Sequence, residues 1–250
     1  MSRYGKTPDR IKINEREFVE KPFLDQLKGL DWEIIDLDRE QKPKDSFRES
    51  FRQVVMEPKL REALIEINDW MEADQIDEVV RRMMEISKSR LLENNKAVLN
   101  FLLEGTSVSE NRQTGDKSPT VKYIDFDIIE NNSFIAVCQF KVRIPGTEKH
   151  IIPDIILFVN GLPLVVIEAK SPKRQEPIAE AIDQILRYSN QRGEAKEGSE
   201  PLFHYNQFVV ATCRQQASFG TISSRIEKHF YRWTDPYPKT VDEITTGASA

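Results

Sequence analysis

The chain has 250 residues, of which 39% are hydrophobic and 31% are charged, and its formal net charge is -5. This length allows one or two domains with a sizeable buried core. No apolar run approaches the roughly 18 to 20 residues of a membrane span, and the polar N-terminal stretch lacks the apolar centre of a secretory signal, so a cytoplasmic protein with no membrane partner is expected. The negative charge counts against a general nucleic-acid binder, although a metal-binding site needs acids.

The first two-fifths of the chain is predicted to be mainly helical. A helix is expected from Asn14, an N-cap residue, toward Gly29, with Pro22 kinking it or delaying its start. A short strand is expected over residues 32–37. Residues 47–104 repeat apolar positions at intervals of three and four, which predicts a helical segment that Gly105 closes. No polar cluster converges in this segment, so it is interpreted as scaffold or as a surface for a partner.

The second half of the chain is predicted to form a sheet. Strands are expected over residues 121–125, 134–142, 151–159, 162–170 and 208–212, with a helix over 176–192. Strands accompanied by helices in this way predict an α/β fold, with a mixed sheet flanked by helices. The two cysteines, Cys138 and Cys213, lack the spacing of metal ligands and are expected to be buried free thiols.

Two acids interrupt the apolar strands on either side of Asn160-Gly161, a strong signal for a tight hairpin turn. Asp154 lies in the first strand and Glu168 in the second. Lys170 shares a face of its strand with Glu168, because side chains two apart on a strand point the same way. A regular two-residue turn would place Asp154 opposite Ile167 and turn Glu168 to the other face. We therefore predict a bulge or a three-residue connection, so that the two carboxylates converge.

Acids in apolar strands are expensive to bury unless they are paired or bound to metal. A structural ion pair with Lys170 is the simpler interpretation of Asp154 or Glu168 taken alone. Both acids and the lysine together favour a site for Mg²⁺, or Mn²⁺, because a hard cation held by one or two carboxylates neutralises phosphate charge and activates water. This is the chemistry of phosphodiester hydrolysis.

These residues resemble the PD-(D/E)xK nuclease motif, and the surrounding sequence PDIILFVNGLPLVVIEAKSP resembles the N-terminal nuclease domain of type I restriction enzyme endonuclease (R) subunits. Three further stretches resemble that family in the same order: YIDFDIIENNSFIAVCQFKV, AIDQILRYSNQ and FGTISSRIEKHFYRW. The resemblance implies a restriction-endonuclease-like core that cleaves double-stranded DNA. It also implies methyltransferase and specificity subunits as partners, and ATP bound only by a motor domain outside this chain. Residues 1–235 are then the nuclease domain and 236–250 a linker toward that motor.

The resemblance also suggests supporting residues. Gln184 and Tyr188 form a Gln-x-x-x-Tyr motif on one helical face, which implies a role in organising the site or contacting DNA. An acid on the first helix supports the metal in related nucleases, and Glu20 is the best-placed match, with Glu17 and Asp25 as competitors. The backbone carbonyl of Ala169 is a further candidate metal ligand. The basic residues that follow the motif are candidates for DNA binding: Lys173, Arg174 and Arg187.

Two other functions stay open at this stage. A free-standing repair or recombination nuclease of the same fold would need no motor. A catalytically inactive module that binds DNA or partner subunits would retain the motif only as structure. Metal binding that depends on Asp154 and Glu168 distinguishes the active alternatives from the inactive one.

Overall fold

The computed structural model describes residues 15–112, 114–194 and 196–234, and all structural statements below concern these residues. A seven-stranded mixed sheet is flanked by helices, which confirms the predicted fold class. The predicted helix start at Asn14 and the predicted linker at 236–250 lie outside the described residues, and the domain boundaries stay a prediction.

The strands are β1 (Glu33–Asp36), β2 (Thr106–Ser107), β3 (Thr120–Val121), β4 (Phe134–Cys138), β5 (Val142–Arg143), β6 (His150–Ile151), β7 (Ile155–Val159), β8 (Leu162–Ala169), β9 (Phe208–Thr212), β10 (Ala217–Gly220) and β11 (Tyr231–Arg232). The large sheet has the order β1-β4-β7-β8-β9-β10-β11. β1 pairs with β4, and β8 with β9, in parallel, while its other neighbours are antiparallel. β2 with β3 and β5 with β6 form separate two-stranded ribbons.

The α-helices are α1 (Lys21–Lys28), α2 (Glu57–Ile67), α3 (Ala73–Met84), α4 (Leu91–Glu104), α5 (Pro177–Tyr188) and α6 (Glu200–Tyr205). A π-helix, Arg16–Glu20, leads into α1. Leu24 and Leu27 of α1 pack with Ile155 and Ile167 in a small core. The other α-helices contribute to a larger core that also contains residues of β4, β7 and β8. Among the described residues, no helix is both long enough and apolar enough to cross a bilayer.

The helical prediction is confirmed for α2, α3 and α4 but is wrong for residues 47–56, which form turns. Phe47 adopts a left-handed conformation, with φ of 56°, which ends a short 3₁₀ turn. The buried guanidinium of Arg48 then donates to Ser46 Oγ and to the Gln53 carbonyl, both at 2.9 Å, and so stabilises a non-helical path. Pro58 stands in the first turn of α2, where its missing N–H leaves no helical bond unmade.

The predicted strand over residues 121–125 is also wrong beyond Val121. Asparagine side chains take the place of a neighbouring strand there. The amide of Asn68 bonds both backbone groups of Lys122, and Asn160 Nδ2 donates to the Tyr123 carbonyl at 2.8 Å. Side-chain amides of this kind offer the backbone an alternative to strand pairing.

Two other predicted strands are each divided by a break. The strand over 134–142 stops at Cys138, because Gln139 is left-handed with φ of 60°, and the one over 151–159 stops at Ile151 and resumes at Ile155. Pro153 lies in the second break and cannot donate to a strand ladder. The strands predicted over 32–37, 162–170 and 208–212 are confirmed to within one residue at each end. The helix predicted over 176–192 is α5, which ends earlier.

The predicted bulge is confirmed in the β7–β8 hairpin. Val159 pairs with Leu162 across a two-residue turn, but the register shifts between Leu157 and Phe158, and Ile155 pairs with Ile167. The extra residue is Leu164, which falls between the paired residues of β8. If the shifted register continues by one residue, Asp154 lies opposite Glu168. The turn lies against α2, where the Met56 amide donates to the Gly161 carbonyl at 2.9 Å.

Candidate functional site

Three polar side chains converge where β8 ends. Lys170 Nζ donates to Glu168 Oε1 at 2.5 Å and to the Ala169 carbonyl at 3.1 Å. The same nitrogen lies 4.0 Å from Asp154 Oδ2. The structure therefore brings the three residues of the predicted motif together, on the face of the sheet that carries α5.

Asp154 is held from two directions. Its Oδ2 accepts a hydrogen bond from the Ala169 amide at 2.9 Å, and its backbone carbonyl accepts one from the Gln139 amide at 2.8 Å. Its side chain is 15% exposed, whereas that of Glu168 is 0% exposed. Asp154 is thus the more accessible of the two carboxylates, and Glu168 lies behind it in the protein interior.

Burial and charge both act on the ionisation of these groups. Burial raises the pKa of Glu168 well above its usual range, and the nearby charge of Asp154 raises it further, while Lys170 acts in the opposite direction. Burial alone would lower the pKa of Lys170, but the carboxylates of Glu168 and Asp154 outweigh it and raise that pKa. The lysine is therefore held as a cation, and the site favours an additional positive charge near its acids.

The donor set fits a hard divalent cation. Glu168 Oε2 is buried and receives no hydrogen bond from a protein donor, while a hydrogen bond between the Glu168 and Asp154 carboxyl groups raises the pKa of Glu168. Either a proton shared with Asp154 or a bound cation satisfies such an oxygen. Asp154 offers a second carboxylate beside it. Among the described residues, no three side chains of His, Cys, Asp or Glu are grouped to hold an ion. Mg²⁺ commonly binds through one or two carboxylates together with water and substrate phosphate, so two acids are sufficient.

The π-helix brings a third acid to this region. Glu20 is 4% exposed, and its Oε2 accepts from Cys138 Sγ and from Gln139 Nε2, each at 3.3 Å. Burial, followed by the charge of Asp154, raises the pKa of Glu20 to about 7. Its sequence competitors, Glu17 and Asp25, are exposed. Glu20 is therefore the acid of the first helical segment that lies near Asp154.

The π-helix also explains a buried acid that the sequence analysis missed. In this segment the Lys21 amide donates to the carbonyl of Arg16, five residues earlier. Residues five apart therefore lie one turn apart, and both Glu15 and Glu20 are buried. Pro22 follows directly and has no amide to continue an α-helical ladder. The predicted disturbance at Pro22 thus takes the form of a widened turn, and an α-helical periodicity does not reveal Glu15.

The Gln-x-x-x-Tyr pair lies on α5 and reaches the sheet. Gln184 Nε2 donates to the hydroxyl of Tyr188 at 2.6 Å, and that hydroxyl donates to the Ile152 carbonyl at 3.1 Å. Burial raises the pKa of Tyr188 well above its usual range, and the charges of Glu168 and Asp154 add to the effect. Tyr188 therefore fixes the backbone at Ile152, two residues before Asp154, and Gln184 positions the Tyr188 hydroxyl.

The basic candidates differ in their surroundings. Lys173 is exposed, and Arg187 is half-buried with its guanidinium 4.9 Å from the centre of the Tyr188 ring. Arg174 is 10% exposed and forms ion pairs with Glu15 and Glu180. These pairs give Arg174 a structural role in joining the N-terminal segment to α5, which the sequence did not indicate. A role in DNA binding stays a prediction for all three residues.

Two further neighbours of the site escaped the sequence analysis. Gln139 contacts both Glu20 and Asp154, with its Nε2 3.4 Å from Asp154 Oδ1. Glu15 Oε1 accepts from the Ser171 amide at 3.1 Å, directly after Lys170. The one sequence signal for Gln139 is its place at the end of an apolar run. Both cysteines are buried free thiols, as predicted.

Comparisons with known proteins give a matching family model and similar relatives. The family model described as "Type I restriction enzyme R protein N terminus" matches residues 12–228. The chain is 31% identical over 238 residues to the type I restriction enzyme HindI endonuclease subunit of Haemophilus influenzae, covering 94% of this chain and 21% of the relative. It is 25% identical over 225 residues to the putative type I restriction enzyme MjaIXP endonuclease subunit of Methanocaldococcus jannaschii, covering 89% and 21%. The chain thus spans about a fifth of the length of these relatives.

Proposed function

The chain belongs to the family of type I restriction enzyme R protein N termini, and from this premise we propose that it is a metal-dependent endonuclease domain that cleaves double-stranded DNA. The supporting observation is the convergence of Asp154, Glu168 and Lys170, with one buried oxygen of Glu168 that receives no hydrogen bond from a protein donor. Either a proton shared with Asp154 or a metal ion satisfies that oxygen, and titration with Mn²⁺ distinguishes the two.

Asp154 and Glu168 would hold Mg²⁺ or Mn²⁺, with Glu20 and the Ala169 carbonyl as further candidates. Such an ion, when bound, neutralises phosphate charge and lowers the pKa of water. The Ala169 amide and Gln139 orient the carboxylate of Asp154, while Tyr188 and Gln184 fix the backbone that precedes it. These contacts fix the orientation of the carboxylate before substrate binds. Groups that are oriented in advance stabilise a transition state more strongly than groups that must reorient.

Lys170 supplies a positive charge at this centre. Its ammonium is held by Glu168 and Asp154, so it keeps its proton at neutral pH. A fixed cation here can stabilise negative charge that develops on a phosphate. It can also donate a hydrogen bond to the water molecule that attacks the phosphate, and so orient that water. Lys173, Arg174 and Arg187 are proposed to contact the DNA backbone.

The wider assembly is also part of the proposal. The relatives are named endonuclease subunits of type I restriction enzymes and are about five times as long as the matched region. We propose methyltransferase and specificity subunits as partners of the complete protein. ATP would be bound by a motor region outside this chain. The cytoplasm is the proposed location, since the substrate is DNA.

Alanine at Asp154 or at Lys170 is expected to abolish Mg²⁺-dependent cleavage of double-stranded DNA by the assembled enzyme. Alanine at Asp25, an exposed acid of α1, is the matched control and should leave cleavage unchanged. Calorimetric titration of the chain with Mn²⁺ gives a second readout that does not depend on the motor. Undiminished cleavage by either site variant would refute the assignment.

The same titration addresses the inactive module. Binding of Mn²⁺ that disappears in D154A and in E168A, but persists in D25A, supports an active site. Absence of such binding in the unmodified chain would favour a module that retains the motif as structure. Cleavage by the chain without partners or ATP would instead favour a free-standing nuclease.

A further inference from the structure

We propose that Gln139 is a positioning residue of the metal site, whose side-chain amide holds the carboxylates of Glu20 and Asp154 toward one ion. The inference rests on the proposed function. It adds a residue that links the π-helix (Arg16–Glu20) to Asp154, which directly precedes the β7–β8 hairpin.

The amide lies between two acids. Gln139 Nε2 is 3.3 Å from Glu20 Oε2 and 3.4 Å from Asp154 Oδ1. A primary amide has two N–H groups, so one nitrogen can donate to both carboxylates at once. The carboxylates of Glu20 and Asp154 repel each other where water is scarce. A neutral N–H donor between them reduces this repulsion and still leaves room for a metal ion beside the two acids.

The backbone of Gln139 is fixed by contacts on both sides. Its amide donates to the Asp154 carbonyl at 2.8 Å, and its carbonyl accepts from Gln41 Nε2 at 2.7 Å. The other end of the Gln41 side chain accepts from the Lys141 amide at 3.1 Å. Gln41 is itself buried, so the turn that ends β4 is held rigidly around Gln139.

The backbone conformation of Gln139 is a costly one for glutamine. Its φ of 60° is left-handed, a region that glycine or asparagine adopts more readily than glutamine. A longer amide at a strained position, aimed at two acids, is the pattern found where backbone strain serves a functional site.

Two substitutions separate the amide from the turn. Gln139→Met keeps the length of the side chain and removes the donor. Gln139→Asn keeps an amide, is one methylene shorter, and suits the left-handed backbone. The matched control is Gln207→Met, because Gln207 is also half-buried and donates one side-chain bond, to the Tyr205 carbonyl at 3.0 Å, at the opposite end of β9 from the site.

Each variant is titrated calorimetrically with Mn²⁺, and its unfolding is measured in urea without metal. Removing a group that orients a metal-binding carboxylate typically weakens metal binding about 10- to 100-fold. We expect this loss in both Gln139 variants, with a urea midpoint for Gln139→Asn no lower than that of the unmodified chain. In the assembled enzyme, the Mg²⁺ concentration for half-maximal cleavage should rise, and the rate at saturating Mg²⁺ should recover.

The outcomes separate this inference from the function on which it rests. Mn²⁺ affinity within about twofold of the unmodified chain in either Gln139 variant would overturn the bridging role. A loss of equal size in Gln207→Met would do the same, because it would mark a general effect on folding. If the unmodified chain shows no Mn²⁺ binding that depends on Asp154, the proposed function itself fails.

Discussion

Replacing Glu20 by glutamine removes a buried charge while keeping the shape of the side chain. The pKa of Glu20 is raised from 4.5 to about 7 by burial and by Asp154, so the folded protein retains a proton that the unfolded chain releases. This difference corresponds to about 3 kcal/mol at full ionisation. Because Glu20 is 4% exposed, solvent screening reduces that value little.

The sign of the effect follows from the raised pKa. Below pH 4.5 the group is protonated in both states and does not favour either. As the pH rises from 4.5 toward about 7, the unfolded state gains stability by releasing its proton, so the folded state becomes relatively less stable. Above that range the full penalty applies. The E20Q variant avoids it, and its advantage should grow across this window.

The assay is thermal and urea unfolding of metal-free protein between pH 5 and pH 8. E20Q is expected to exceed the unmodified chain by about 3 kcal/mol at pH 8, or about 6 to 12 °C in melting temperature, and by much less at pH 5. Glu17→Gln is the control, because Glu17 is exposed and pairs with Lys21 on the surface. A stability difference between E20Q and the unmodified chain that does not change with pH would refute this reasoning.

Three other substitutions probe the hairpin, the lysine and the DNA surface. Gly161→Ala should destabilise the fold by more than about 2 kcal/mol in urea unfolding, because φ is 76° and the new Cβ would lie 2.5 Å from the Met56 carbonyl oxygen; a loss below about 0.5 kcal/mol would contradict this. Lys170→Met should lower the free energy of unfolding in urea by about 3 to 5 kcal/mol at pH 8, and by less at pH 5, because Glu168 binds a proton more readily at the lower pH. Equal losses at both pH values would argue against the ion pair. If the exposed Lys173 contacts one phosphate, Lys173→Ala should reduce the slope of log K for DNA binding against log salt concentration by about 0.9, as measured by fluorescence anisotropy. An unchanged slope would show that Lys173 does not contact the DNA.

The convergence of the three motif side chains could be predicted from the sequence because it depends on the alternation of side chains along two strands. Asp154, Glu168 and Lys170 converge only if the register of one hairpin shifts, and the requirement for convergence itself predicted the bulge. The mixed sheet followed from apolar runs of strand length between helical patterns. Local patterning of this kind needs no knowledge of distant residues.

The remaining features depend on contacts that no local pattern contains. Gln139 is left-handed although it is neither glycine nor asparagine, and its place at the end of an apolar run does not predict that conformation. Glu15 reaches the site through a π-helical turn, which changes the periodicity on which helical predictions rely. Asn68 and Asn160 bond the backbone of residues 122–123 from far along the chain, and so replace a predicted strand.

Because Leu164 is an extra residue in β8, Asp154 and Glu168 can meet only when their separation along the chain is an even number of residues. A tight two-residue turn alone brings together positions separated by an odd number, whereas these two acids are separated by an even one. A homologue with one residue fewer in this ribbon can keep the same meeting of carboxylates by losing the bulge, but one that loses a residue and keeps the bulge sends one acid to the far side. A single deletion in this ribbon is therefore expected to be tolerated only where it removes the bulge.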